Sequence, residues 1–304
     1  MIVILFFAVS CAGFAQEEVD FREILENMSS SFDIDNHQKQ VNFTDKLKKE
    51  LPNHAIVSPL NHFTNNSWTG SYGFFNLNDT YLSPLKYFGW NVQLDAVHQK
   101  FFKKKYNLFW KNHNTFNYAY LINKPATAAI MYVSGDVGFG VNYIFYEKKN
   151  FAFYVGGCAS LFAAGKYSGR NVNNIASIDA NFLISSDFGA WYKVKLGKKA
   201  NLVLRDEFKI PLIGTMFVPE MGTLYYEYTF GNFNNAFHFT SFHNRFGIKN
   251  NFYLDFEFNK IILRLTCLQN YQKWHANYLS FKTFQYNFGA GFVVNLQNVT
   301  FLEK

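Results

Sequence analysis

The chain is short of charge. Only 17% of its 304 residues are Asp, Glu, Lys or Arg, against about 25% in ordinary soluble domains. That leaves too few ionic groups to coat a soluble enzyme of this length. Cysteine is scarce as well: Cys11, Cys158 and Cys267 are spread over the whole length, which excludes a disulfide scaffold. After Ala15 no stretch approaches the ~18–20 uninterrupted apolar residues that a transmembrane helix needs. No Cys/His group has metal-ligand spacing and no nucleotide fingerprint occurs, so neither metal nor cofactor is expected. The close glycines of Gly135-Asp136-Val137-Gly138-Phe139-Gly140 fall inside a strand pattern, where glycine eases curvature.

What the chain does have is rings. Aromatics reach 20%, with 37 Phe and 19 Tyr, and 49% of the sequence is hydrophobic. Disorder is excluded for the bulk of such a chain, because disordered segments are poor in these residues. The opening run Met1–Ala15 (MIVILFFAVSCAGFA) is an apolar core too short to span, followed by small residues at Gly13 and Ala15. It reads as a cleaved secretory signal, with lipidation at Cys11 as the competing reading. The chain is therefore expected to be exported, with 1–15 as signal peptide, 16–65 as a periplasmic extension and 66–304 as the folded body. In the extension, Phe21, Ile24, Leu25 and Met28 fall at helical spacing, so one or two short helices are expected there.

After position 67 the apolar residues recur with period two. Between Ala176 and Val194 the even positions are almost all apolar, while the odd ones include Ser177, Asp179, Asn181, Asp187 and Lys193. Phe284 to Leu296 repeats the pattern, as do Phe252 to Phe258 and Met131 to Tyr143. Around Leu204, Phe208 and Ile210 the set Arg205, Glu207 and Lys209 faces away, and Asp206 falls on the apolar side near a membrane interface. These strands exceed the ~5–6 residues usual in soluble sheets. A soluble sandwich alternates too, but its outward face is wet and rich in Lys and Glu. Here the apolar face is Phe-rich and the other mixes small, amide, hydroxyl and charged groups, as in a transmembrane barrel with lipid outside and packed polar side chains inside. Only a closed sheet leaves no backbone group unsatisfied in hydrocarbon.

The fold expected is thus all-β, a transmembrane antiparallel up-and-down barrel of about 12 strands with a short, partly helical N-terminal extension. The segments are 67–77, 86–99, 105–121, 129–146, 151–163, 175–196, 200–211, 222–230, 236–247, 251–258, 261–269 and 278–296, with ten or fourteen strands as the neighbouring even counts. Tight periplasmic turns fall at 147–150, 196–199, 247–250 and 259–260, and a longer opposite-rim connection at 165–171.

Several segments resemble a family of uncharacterised Bacteroidetes outer-membrane barrel proteins. They are Pro84-Leu85-Lys86-Tyr87, Asn123-Lys124-Pro125-Ala126, Gly165-Lys166-Tyr167 with Arg170-Asn171-Val172-Asn173-Asn174, and Tyr225-Tyr226-Glu227. The longest is Pro211-Leu212-Ile213-Gly214-Thr215-Met216-Phe217-Val218-Pro219-Glu220. The resemblance implies an outer-membrane barrel and brings no established activity. It marks Arg170, Asn171, Asn173, Asn174, Pro211, Gly214, Phe217, Pro219 and Glu220 as family-motif loop residues.

The chemistry-bearing residues point to structure before catalysis, so no catalytic residue is assigned. Inward Asp179, Asp187, Lys193, Arg205, Glu207, Lys209, Asp255, Glu257 and Arg264 form a lumen polar network, structural or pore-lining, since a buried charge is tolerable only when paired. By parity Cys158 points with the polar set and Cys267 with the apolar set, so they do not pair. No histidine is followed by Ser two residues on, the same-face spacing that lets imidazole activate a hydroxyl; His62, His113 and His238 are followed by Thr instead. The net charge of +7 suits lipid phosphates and acidic partners better than nucleic acid, with Lys103-Lys104-Lys105 and Lys198-Lys199 at strand ends. Expected partners are outer-membrane lipids and an envelope protein. The leading expectation is a non-enzymatic outer-membrane barrel, acting as a narrow pore or as a partner-binding scaffold. A lipid or lipopolysaccharide hydrolase built on His238, Thr240, Ser241 and His243 is the first alternative, and a subunit of a secretion or assembly complex the second.

Overall fold

Alternation along each strand dictates a two-faced sheet, and closing that sheet puts one face inside. The computed structural model describes residues 65–102, 105–148, 150–170, 175–196, 200–224, 227–228, 230–258 and 261–295. The chain divides into two units, Met1–Ser58 and Pro59–Lys304. The expected signal and extension lie outside the described residues.

Eleven strands form one antiparallel sheet: β1 (Asn65–Asp79), β2 (Lys86–Phe102), β3 (Lys105–Asn123), β4 (Ala129–Lys148), β5 (Phe151–Tyr167), β6 (Ala176–Lys195), β7 (Ala200–Phe217), β8 (Phe237–Ser241), β9 (Arg245–Phe258), β10 (Ile261–Ala276) and β11 (Leu279–Asn295). Each pairs with its sequence neighbour, β1 closes on β11 with Trp68 opposite Phe292, and β6 meets β7. β7 pairs with β9 from Ala200 to Lys209 and with β8 from Ile213 to Phe217. Ten strands therefore close the barrel, and the short β8 sits beyond the end of the β7–β9 ladder.

Twelve expected strands become ten in the wall because one segment forms no strand and β8 stays outside, and two expected boundaries also shift. The described residues of 222–230 form no strand; they lie in the rim connection from Val218 to Ala236, which turns through short-range backbone bonds (Glu227 N to Leu224 O, 3.0 Å; Phe230 N to Glu227 O, 3.1 Å). The left-handed backbone of Gly222 and Gly231, at φ of 88° and 84°, is open to glycine without cost. The polar run Gly247 to Asn250 is no turn either; it lies within β9, where Gly247, Lys249 and Asn251 face a polar lumen that tolerates them. Finally, β7 runs six residues past Pro211. A register shift opposite Ile184 and Ser185 makes Leu212 an extra residue, and a bulge accommodates a proline that cannot donate to the ladder.

The outer wall is the Phe-rich face. Phe74 (71% exposed), Phe237, Phe239, Phe288, Leu161 and Val137 all stand out from it, a surface far larger than a soluble monomer leaves open. Trp90 lies against Tyr72, Tyr118 and Tyr120, and Phe145 stacks on Phe153 near the turn between β4 and β5. Among the described residues no helix is long and apolar enough to cross a membrane; strands of 14 to 20 residues in all ten wall positions exceed the ~9–11 that a spanning strand needs.

Candidate functional site

The inner wall is built from the other half of each alternation. Asn91, Asn117, Asn142, Ser160, Ser185 and Asn287 are all buried there, and amides bridge between strands: Asn91 donates to Asn117 (2.8 Å) and Gln285 to Gln93 (2.7 Å). The strand ends nearest the termini and those at the loop rim are called the lower and upper ends below.

Apolar side chains shut both ends. At the lower end Phe101, Phe109, Ile144, Ala152, Tyr154 and Trp191 pack together, with Phe109 edge-on to Tyr154 at 5.1 Å. At the upper end Phe75, Leu121, Tyr132, Met216, Trp274 and Phe281 belong to a larger cluster, and Trp274 stacks on Phe281 at 5.1 Å. The rim loop folds over this end. Val218 and Ala236 are buried, Tyr81 donates to Thr223 O (2.9 Å), and Asn277 donates to Val218 O (3.1 Å) and Asn235 O (2.8 Å). Burial holds the Tyr81 hydroxyl well above the usual phenol range, keeping it a neutral donor.

Between the seals the charges pair. Arg264 grips Asp255 with two nitrogens (2.6 and 2.7 Å) over the Tyr253 ring. Arg205 lies 3.2 Å from Glu207 and 3.6 Å from Asp255, against Trp191 and Tyr253. Lys111 joins Glu207 (3.2 Å) to Asp187 (3.6 Å), and Lys193 meets Glu257 at 2.9 Å. Nearer the upper end, Lys166 is clamped between Asp79 and Asp179, the latter at 2.8 Å. Paired, hydrogen-bonded geometry of this kind is what makes buried ions tolerable.

The middle of the lumen is different. His113 Nε2 lies 3.1 Å from Asp136 and 3.0 Å from the Lys209 ammonium, and Cys158 Sγ is 3.6 Å from the same ammonium. Around them are two cavities of about 70 and 40 Å³. Lys209, Lys249 and Asp136 line the first, with Arg245, Gln272 and Gln285.

All nine network residues anticipated from sequence face the lumen, but in separate groups: Asp187, Arg205, Glu207, Asp255 and Arg264 join through Lys111, Lys193 pairs with Glu257, Asp179 shares Lys166 with Asp79, and Lys209 lies by His113. Lys111, Asp79 and Lys166 were missed. Lys111 shares a face with His113 and Thr115, a parity signal that could have found it; Asp79 lay beyond the expected strand 67–77 and Lys166 in a segment read as loop. Of the motif positions, Asn171, Asn173 and Asn174 fall outside the described residues. Arg170 and Glu220 are exposed in connections, and Pro219 is buried in the rim loop. Pro211, Gly214 and Phe217 are strand residues of β7, not loop residues. At Gly214 a side chain would collide with Phe182 O, so the close approach of β6 requires glycine. Cys158 is inside, Cys267 is on the outer wall, and both are free. Asp206 stays on the outer wall, its carboxylate accepting from Asn250 at 2.5 Å.

The hydrolase residues separate. His238 bonds Asn235 O (2.9 Å), while Thr240 turns inward to Asn244 (3.0 Å). A different pair forms instead: Ser241 Oγ lies 2.7 Å from His243 Nδ1, exposed at the upper rim beside Phe239. The spacing is the reverse of the one sought, with serine two residues before the histidine across the β8–β9 turn. A second such contact, His275 Nδ1 to Ser280 Oγ at 3.0 Å, lies at the same rim. Among the described residues no cluster of three His, Cys, Asp or Glu could hold a metal ion.

A closed antiparallel barrel, Phe-rich outside and polar inside, defines a β-barrel of the membrane-protein class. The chain belongs to the family described as "Protein of unknown function (DUF3316)", whose model matches residues 58–302. Solved structures to which the chain is similar include the outer membrane protease OmpT from Escherichia coli, at 5% identity and a TM-score of 0.42. It covers 77% of this chain, and 96% of OmpT is covered. Neisserial surface protein A is 10% identical, with a TM-score of 0.32 and coverage of 76% and 96%. The translocator domain of the autotransporter NalP from Neisseria meningitidis is 8% identical, with a TM-score of 0.35 and coverage of 84% and 95%. No curated protein matches the sequence.

Proposed function

We propose that this protein is a non-enzymatic outer-membrane barrel with a sealed bore, which acts through its rim and outer wall as a scaffold for an envelope partner. The observation that carries this reading is the pair of apolar seals, Phe109–Tyr154–Trp191 below and Leu121–Trp274–Phe281 above, with ion pairs between them and cavities of only about 70 and 40 Å³. A water channel of the porin kind needs a far wider barrel, of about 16–18 strands. In this reading the chain is exported by residues 1–15, and outer-membrane lipids cover the Phe-rich wall. Planar-bilayer recording of the purified full chain is the test: the scaffold gives no stable conductance steps, whereas a narrow pore gives reproducible ones. Isolation from envelopes with an affinity tag then identifies the partner, including any secretion or assembly complex.

One observation favours a second reading, a lipid-acting hydrolase. The Ser241–His243 contact at 2.7 Å is the hydrogen bond that lets imidazole take a hydroxyl proton, and its rim position adjoins Phe239 and Phe242, where acyl chains and headgroups meet. Labelled phospholipid or lipopolysaccharide, incubated with wild type and with Ser241→Ala, decides it. Turnover lost in the variant supports the hydrolase, and equal absence in both rejects it.

A further inference from the structure

Three cations in the middle of the lumen have no anionic partner. Lys209 of β7 and Lys249 of β9 are direct register partners, both turned inward. Like charges placed opposite each other on neighbouring strands repel and destabilise the sheet. Arg245, two inward positions from Lys249 along β9, is only 4% exposed. Its Nη2 donates to Gln272 (3.0 Å), while Nε and Nη1 meet no acceptor among the described residues. None of the three forms an ion pair with a described carboxylate, whereas Lys111, Lys166, Lys193, Arg205 and Arg264 do.

The carboxylates nearby are engaged elsewhere: Asp187, opposite Lys209 on β6, pairs with Lys111 at 3.6 Å, and Asp95 accepts from Gln93 and Thr115. Asp136 is held by His113 Nε2, the nitrogen that also lies 3.0 Å from the Lys209 ammonium. A ring nitrogen either donates or accepts. If it donates to Asp136, Lys209 keeps only the longer contacts to His113 Nδ1 (3.5 Å) and Cys158 Sγ (3.6 Å); if it accepts from Lys209, Asp136 loses its donor. Arg245, Lys209 and Lys249 all line the same cavity of about 70 Å³. Isolated buried charge is costly enough that such a cluster calls for a counter-ion.

We propose that this chamber is a binding site for one small inorganic oxyanion of phosphate or sulfate size, held by Arg245, Lys209 and Lys249. The anion accepts from the free Arg245 nitrogens and from both ammonium groups, and His113 is then free to donate to Asp136. Charge-assisted bonds to oxyanions are the strong class. The cavity's volume and the seals at both ends exclude lipid, nucleotide and peptide ligands. The site goes beyond the scaffold reading and does not depend on it.

The experiment is thermal unfolding of the full chain in detergent micelles at constant ionic strength, with phosphate replacing a bulky sulfonate. Ligand that binds only the folded state raises the midpoint progressively with its concentration, so the wild type gains several degrees between low and high phosphate. Lys249→Glu supplies the missing carboxylate beside Lys209, and its midpoint no longer follows phosphate. If that variant does not fold, Lys249→Gln serves, with a response at least tenfold weaker in concentration. A wild-type midpoint that ignores phosphate overturns the proposal, as does a variant that tracks the wild type. Chloride run in parallel separates a monoatomic ion from an oxyanion: an equal chloride response overturns the oxyanion assignment.

Discussion

Around Arg205 and Arg264 the lower lumen pairs its charges tightly: Asp255 takes two bonds from Arg264 at 2.6 and 2.7 Å, and Glu207 sits between Lys111 and Arg205 at 3.2 Å from each. One register step higher, Lys209 and Lys249 face each other across neighbouring strands, and Asp187, opposite Lys209 on its other side, is paired with Lys111. The same wall, made by the same alternation, thus treats charge in two ways. Where cations and anions are matched, the network is packing. Where they are not, the wall holds a site, because the unbalanced group keeps its capacity to bind. The lower region is therefore expected to respond to mutation as a core does, and the middle as a ligand chamber does.

The largest effect expected is in the paired class. Lys166→Met leaves Asp79 and Asp179 buried together without their cation, which costs roughly 3–5 kcal/mol; equilibrium unfolding in urea from lipid or detergent measures it. Equal stability of variant and wild type would break the view that paired lumen charges are structural. Phe109→Ala removes the buried ring at the centre of the lower seal, at about 3 kcal/mol. If the seal is what shuts the bore, ion conductance absent from the wild type appears in this variant. In the unmatched middle the sign reverses. Lys249→Gln removes one of two opposed cations and raises stability in anion-free buffer by about 0.5–1 kcal/mol, seen as a higher unfolding midpoint. Smallest of all is Ser241→Ala, which removes an exposed rim hydroxyl and shifts stability by less than ~0.5 kcal/mol. Its interest lies in the hydrolysis assay, where the scaffold reading expects no change.

Much of the fold was legible because parity is a local property. The face of Arg205, Glu207, Lys209, Asp255 and Arg264 followed from period two alone, and so did the opposite placements of Cys158 and Cys267. Closure was not local. The overcount came from the segment 222–230, whose described residues form no strand, and from β8, which stays out of the wall; Gly247 to Asn250, turn-like in sequence, sit in β9 because a polar lumen accepts them. Pro211 looked like a strand end, and only the bulge opposite Ile184 and Ser185 shows how the ladder absorbs it.

The candidate sites divide the same way. That His238, Thr240, Ser241 and His243 cluster is visible in the sequence; that Ser241 and His243 touch while Thr240 turns inward depends on the bend between β8 and β9. By itself the sequence determined which side chains meet lipid and which meet the bore, since alternation along one strand needs no neighbour. The tertiary structure alone decided which inward charges find partners. Pairing depends on strand order and register, and placing Lys249 opposite Lys209 rather than opposite an acid is a matter of how the sheet closes.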